Sequence, residues 1–431
     1  MPWQPQSKMS LKLEFAKLAD KAEANMSALC RRFNISRPTG YKWLTRYREE
    51  GQEGLEERSR RPNESPNRTP EHIEEAVCEV RNRHPAWGGR KIRGRLQTRA
   101  KDGQAKDEQA KDGQAKDGQA EDGKLSFGRE EVPAASTCQA IIKRNGLVDS
   151  ESDRHRKAFE RFEKAEPNQL WQMDFKGHFP TADGQRCHPL TVVDDHSRFA
   201  VGLEACPDEQ FETVQTRLTA AFRRYGLPRR ILCDNGAPWG VPWTERVGRP
   251  LFTKLNAWLF RLGVDLVHGQ PYHPETQGKC ERFHRSLTEE VLQYGSYQAL
   301  TECQTDFDQW RSTYNLERPH EALDLDVPSD HYRPSGRPFP SKLPPISYPA
   351  AEHVRTASAG GQIWFAGNKF YIGEAFDGDP VAVRPEEPQQ NDAGQNDAGK
   401  TVCRGEASKQ KWAVYYCHKK VHVIESNPPN Q

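Results

Sequence analysis

The run LWQMDFKGHF (170–179) is followed by HPLTVVDD (188–195) and RFAVGLEA (198–205). Each keeps apolar side chains at strand-like intervals, so the three read as consecutive strands, the first two joined by the turn TADGQR (181–186). Beyond them the pattern changes. A helix is expected over about 208–225, a short strand in RRILCD (229–234), a helix near 250–262 and a strand in VDLVHG (264–269). TQGKCERFHRSLTEEVLQYG (276–295) and YQALTECQTDFDQWRSTYN (297–315) read as long amphipathic helices. Consecutive strands followed by alternating helices and strands predict an α/β mixed sheet with helices on both faces.

Three acids occupy informative places in that pattern. Asp174 lies inside the first strand, in WQMDFKG (171–177). Asp234 ends the fourth strand, in ILCDNGAP (231–238), where Asn235-Gly236 suits a sharp turn. Glu281 lies on the helix beginning near Thr276, within PETQGKCERFH (274–284). Hard divalent cations prefer a few carboxylates, leaving positions for water and phosphate oxygens. His273 and Glu275 are rival ligands, for which turn or capping roles are expected instead. Asp194 and Asp195, at the end of the second strand, are expected to form a turn. Arg318 and His320, in ERPH (317–320), are expected to fix the last helix. Cys280, beside Glu281, is expected to pack rather than act as a nucleophile.

The first 57 residues predict a helix-turn-helix unit. LKLEFAKLADKA is amphipathic, NMSALCRRF follows, and the turn NIS leads into RPTGYKWLTRYREEG. Ser36 suits the cap of that third helix, Pro38 its first turn and Gly51 its end. Leu44, Tyr47 and Trp43 give it an apolar face. Arg37, Thr39, Lys42 and Arg46 are left to meet DNA in a major groove. A second, similar unit is expected over 58–160, after the linker RSRRPNESPNRTP (58–70). Its helix in HPAWGGRKIRGRL offers Arg90 and Lys91. A repeat built on AKDGQ (100–124) interrupts this unit and is expected to be a disordered loop, since it carries no apolar side chain beyond Ala. The catalytic part is expected over 161–335. A small all-β, barrel-like domain is expected over 345–425, with GGQIWFAGNKFYIGEAF folding about a Gly-Asn turn and a repeat insertion at 388–400.

Composition narrows the function further. The 431 residues carry a formal charge of only +2, but 81–99 hold seven Arg and Lys with no acid, a local pattern suited to phosphates. Mean hydropathy is −0.93, and no apolar run approaches the roughly 20 residues that span a bilayer. The ten cysteines form no CxxC pair and read as reduced thiols. A cytoplasmic, nucleoid-associated bacterial protein is the expectation.

WQMDFKG, VVDDHSRF, CDNGAP, HPETQGKCERFH and YNLERPHEAL, behind a two-part helix-turn-helix N-terminus, together resemble a bacterial insertion-sequence transposase of the DDE type with a retroviral-integrase-like core. The resemblance implies an RNase H-like fold and DNA strand cleavage and transfer. It maps the acidic triad onto Asp174, Asp234 and Glu281, holding two Mg²⁺ or Mn²⁺ ions. Fifty-nine residues separate the first two acids and 46 the last two; the second gap is wider than the family's familiar one, with WGVPWTERVGRP (239–250) as the extra loop. Lys279, Arg282 and Arg285 then become phosphate contacts, and the partners are transposon ends, target DNA and further copies of the chain. A non-catalytic DNA-binding regulator derived from a transposase, and an RNase H-like nuclease, are the alternatives.

Overall fold

The computed structural model describes residues 8–57, 68–111, 125, 127–148, 163–234, 236–240, 252–268, 278–386 and 410–428, with side chains omitted over 101–111. The chain divides into two compact units, Met1–Arg68 and Thr69–Gln431.

In the first unit, α1 (Lys8–Ala19), α2 (Met26–Arg32) and α3 (Arg37–Glu50) close around Phe15, Ala19, Cys30 and Leu44. Ser36 caps α3, its hydroxyl accepting from the Thr39 N–H, and Gly51 at φ 65° ends it. Gly40 is where α2 and α3 cross. A Cβ there would stand 2.6 Å from Cys30 Sγ and 3.0 Å from Phe15, so only glycine permits this approach.

The second unit begins with α4 (Glu71–Arg83), α5 (Gly89–Lys111) and α6 (Ala135–Arg144), packed through Val77, Trp87, Ile92, Leu96 and Ile141. Helix α5 corrects one expectation. It runs on through the first residues of the AKDGQ repeat, to Lys111, where a disordered loop was expected. Ala, Lys, Gln and Glu are strong helix formers, and an occasional glycine costs only about 1 kcal/mol, so a helix entering the repeat extends into it. The remainder of the repeat lies outside the described residues.

The central sheet holds β1 (Trp171–Phe175), β2 (Phe179–Pro180), β3 (Arg186–Asp194), β4 (Ala200–Cys206), β5 (Arg230–Cys233) and β6 (Asp265–His268). Strand β3 pairs antiparallel with β1, β2 and β4, while β1, β5 and β6 run parallel. This is the RNase H-like arrangement expected from the sequence. On one face α7 (Phe211–Tyr225) and α8 (Lys254–Arg261) pack on Trp171, Met173 and Ile231. On the other, α9 (Gly278–Leu287) and α10 (Leu300–Leu316) bring Phe283, Leu287, Phe307 and Trp310 against Val193 and Leu203. Between α9 and α10 the chain forms a π-helical turn, Thr288–Leu292. Since Trp171 and Met173 face α7 and α8, strand alternation turns Gln172 and Asp174 toward α9.

After α10 come the short α11 (Pro328–His331) and an extended segment whose Arg337 donates to the carbonyls of Pro228, Leu262 and Gly263. The C-terminal strands are β7 (His353–Thr356), β8 (Gln362–Phe365), β9 (Asn368–Tyr371), β10 (Pro380–Pro385), β11 (Gln410–Tyr416) and β12 (Lys419–Ser426). The order β12-β11-β10-β7 is antiparallel throughout, with β8–β9 a separate hairpin. That hairpin turns on Ala366 and Gly367, both at positive φ, one residue earlier than the expected Gly-Asn. The β module shares its core with Ala257 and Phe260 of α8. No helix among the described residues is long and apolar enough to cross a membrane.

Candidate active site

Register places the first two acids. Trp171 pairs with Ile231 and Gln172 with Leu232, a constant offset that sets Asp174 level with Asp234, one position past the end of β5. Neighbouring strands lie about 4.8 Å apart, so both carboxylates arise from adjacent points on the sheet. Asp234 Oδ1 accepts the Gly236 N–H at 3.0 Å, which fixes the side chain over its own turn. Glu281 stands exposed in the first turn of α9, the helix packed across Asp174's face of the sheet.

The electrostatics show the same convergence. Burial, then the charge of Asp234, push the Asp174 carboxyl up to about 7, with Glu281 and Glu209 adding to the effect. Carboxylates crowded without a cation hold protons tightly, and a divalent ion is the group that relieves such crowding. The donors are all hard oxygens, which suits Mg²⁺ or Mn²⁺. Among the described residues no three His, Cys, Asp or Glu side chains already form a closed ligand cluster. His273 and Glu275, the rival ligands, and Asn235 lie outside the described residues.

His284, which the sequence alone did not single out, stands against Asp174. Its Nδ1 lies 3.9 Å from Asp174 Oδ2 and its Nε2 lies 2.8 Å from Thr191 Oγ1. Thr191 donates its hydroxyl proton to the Asp174 carbonyl at 2.9 Å. Burial, and then Lys176, lower the His284 imidazole to about 4, so it is neutral at pH 7. The available signal was spacing: His284 follows Glu281 by three residues, one helical turn along α9. Cys280 is fully buried and its thiol is pushed well above the ordinary value by burial and Asp174, so it packs.

The basic residues divide sharply. Arg282 and Arg285 are exposed on α9 beside Glu281. Lys279 is engaged by the fold itself, its Nζ 2.5 Å from Asp195 Oδ1 and donating to the Asp195 carbonyl. Lys91 is likewise turned inward, 4.0 Å from Glu290, with burial and then Arg318 lowering its amine to about 8. Arg90 stays mostly exposed, 3.9 Å from Glu321. In the first unit Arg37 and Lys42 are exposed on α3. Arg46 and Lys42 lie over the Trp43 ring. Thr39's hydroxyl is shared with Ser36 in the helix cap.

The structural acids are equally specific. Asp194 accepts from the Asn168 N–H and from both the N–H and hydroxyl of Ser197. Asp195 holds Gln172 and Lys279. Arg318 bonds Glu290 and Ser286, while His320 packs edge-on against Tyr314.

Residues 164–274 match the integrase core domain family, and 262–328 match a second integrase core domain description. This part of the chain is similar to integrase cores. Ahead of this region, residues 11–63 match a helix-turn-helix domain and 39–109 a homeodomain-like domain. The insertion element IS407 uncharacterized 31.7 kDa protein of Burkholderia multivorans is 30% identical over 166 residues, covering 38% of this chain and 55% of that protein. The insertion element IS476 uncharacterized 39.2 kDa protein of Xanthomonas euvesicatoria is 28% identical over 158 residues, covering 36% and 42%. The chain thus spans about half the length of these curated relatives. A magnesium complex of the HTLV-2 integrase catalytic core aligns with 39% of this chain and 99% of its own at 15% identity, with a TM-score of 0.30.

Proposed function

We propose that the protein is a DDE transposase that binds the ends of its own insertion element, cuts there and joins those ends to target DNA. The observation that carries this reading is the parallel β1–β5 register, which carried two residues onward sets Asp174 level with Asp234, together with the upward push that burial, Asp234 and then Glu281 exert on the Asp174 pKa. Asp174, Asp234 and Glu281 would hold two divalent ions, Mg²⁺ or Mn²⁺. Bound there, the ions supply Lewis-acid stabilisation of an in-line displacement at phosphorus. The chain's own part is positioning. β1 and β5 fix two carboxylates rigidly, and α9 brings the third. Arg285, one turn beyond Glu281, lies where it meets the DNA backbone, with Arg282 and Arg90 as further contacts.

Arg37, Lys42 and Arg46 of the first unit are the proposed contacts to transposon-end duplex, consistent with the helix-turn-helix match. Joining two ends to one target calls for two or more copies of the chain on DNA. The test is incubation of the protein with Mg²⁺ and duplexes copied from the sequences flanking its gene. Strand cleavage and joining by wild type, lost in Asp234→Asn, supports the reading. Specific binding without cleavage would instead mark a regulator, and cleavage confined to RNA strands a ribonuclease.

A further inference from the structure

A cleft of about 530 Å³ opens between the end of β1, the β2–β3 turn and the π-helical turn that follows α9. Its position is set by the same two elements that carry the site. Lys176 in its wall follows Asp174 by two residues, and Thr288 follows Glu281 by seven. Seven residues are two helical turns, so Thr288 lies on Glu281's side of the helix about 10 Å away. A stacked DNA strand advances about 3.4 Å per nucleotide, so the cleft is within about three nucleotides of a phosphate held at the carboxylates.

The lining is divided between flat apolar surface and unpaired cation. Phe179 and Tyr297 stand with ring centroids 5.7 Å apart, and Pro189 and Leu292 complete the apolar wall. In the wall, Lys176 forms no ion pair among the described residues, and Arg186 lies against the ring of His178, another wall residue. Elsewhere in this unit Lys91, Arg95, Lys279 and Arg318 are all matched with carboxylates. A wall left positive beside an apolar slot suits an anionic ligand with a planar apolar part.

We propose that this cleft receives one nucleobase of the reacting DNA strand, unstacked from its neighbours, with Lys176 and Arg186 on the adjoining phosphates. The inference rests on the proposed strand-transfer function and deepens it. Seating one base apart from the stack anchors the strand in register, so the scissile phosphate is delivered to the carboxylates rather than to a position one nucleotide away. The volume falls in the range of small-ligand pockets and exceeds what one base requires.

The test uses the full-length protein and end duplexes carrying 2-aminopurine at single positions within three nucleotides of the cut. Wild type should raise the fluorescence several-fold at one position only. Ser296→Trp fills the cleft from its exposed lip, away from the carboxylates and the packed core. It should remove that rise and scatter the cut among neighbouring phosphates, with end binding weakened roughly tenfold by the lost stacking. Lys176→Ala should lower the slope of log affinity against log salt by about one. If wild type cuts the duplex and no position brightens, or Ser296→Trp leaves both brightening and cut site unchanged, the base-binding inference is wrong and the transposase reading stands. If wild type fails to cut at all, the transposase reading falls, and this inference with it.

Discussion

His284 presents Nδ1 to Asp174 Oδ2 at 3.9 Å while its Nε2 contacts the Thr191 hydroxyl. Thr191 gives its own proton to the Asp174 carbonyl, so the neutral ring carries its hydrogen on Nε2 and turns a lone pair toward the carboxyl. That arrangement favours a protonated Asp174 in the metal-free protein, in accord with its value of about 7. A cation entering the site must displace that proton. Divalent-metal affinity should therefore rise between pH 6 and 8 and level off above, with about one proton released per protein near pH 6. Isothermal titration in buffers of differing ionisation enthalpy reads this directly. Metal uptake without proton release below pH 7 would contradict it.

The same shift has a consequence for stability. The folded-state value lies above the ordinary carboxylate value of 3.8, so the folded protein binds this proton more tightly than the unfolded chain. Asp174's contribution is thus most favourable below about pH 4 and is lost as pH rises to about 7. Asp174→Asn should stabilise the metal-free protein at pH 8 by about 2–4 kcal/mol and leave it unchanged at pH 3.5. Added Mg²⁺ should raise the melting temperature of wild type but not of the variant. Thermal melts at the two pH values, with and without the ion, test both statements.

Much of the sheet was legible because buried strands announce themselves. LTVVDD and RFAVGLEA read as strands, and each emerges as one. The third helix of the first unit was legible from its ends, since Ser36, Pro38 and Gly51 act locally. The extent of α5 was not, because the repeat lacks the apolar periodicity that marks a packed helix while keeping residues that tolerate one. The three proposed acids stood out through motif context, whereas their electrostatics depend on strand register and on the α9 crossing, which no local pattern encodes. Lys91 and Lys279 show the complementary failure. Both sit in basic stretches, yet Glu290 and Asp195, distant in sequence, claim them.

Glu290 anchors the α4–α6 segment and the central α/β unit at one point. It accepts from Arg318 Nε at 2.9 Å and from Trp310 Nε1 at 2.9 Å, with Lys91 at 4.0 Å. Burial alone would raise this carboxyl, but Arg318, Lys91 and Trp310 outweigh it and hold it below the ordinary value. Its stabilising contribution is therefore present above about pH 4.5 and fades as pH falls further. Glu290→Ala leaves the Arg318 guanidinium buried without its partner, a loss of about 3–5 kcal/mol. Denaturant unfolding at pH 7 should show that loss, and it should shrink toward pH 3.

Gly40→Ala should loosen the first unit alone. The added methyl must displace Cys30 Sγ and the Phe15 ring, with an overpacking cost of about 1–3 kcal/mol. Hydrogen exchange should quicken across α1–α3 and stay unchanged in β1 and β3. Quickening in the central sheet would contradict the division into two units.

The proposed DNA contacts separate by how the fold already uses each cation. Arg37 and Lys42 stand exposed on α3, so each alanine substitution should reduce the slope of log affinity against log salt by about one, uniformly across sequences. Lys279 is spent on Asp195, whose carboxylate is fully buried. Lys279→Ala should therefore leave the salt slope unchanged while destabilising the core, since it strips a buried carboxylate of its counter-ion. Binding isotherms at several salt concentrations, paired with melting curves, distinguish the two classes. A reduced salt slope in Lys279→Ala, with stability intact, would move that lysine from the interior ion pair to the DNA surface.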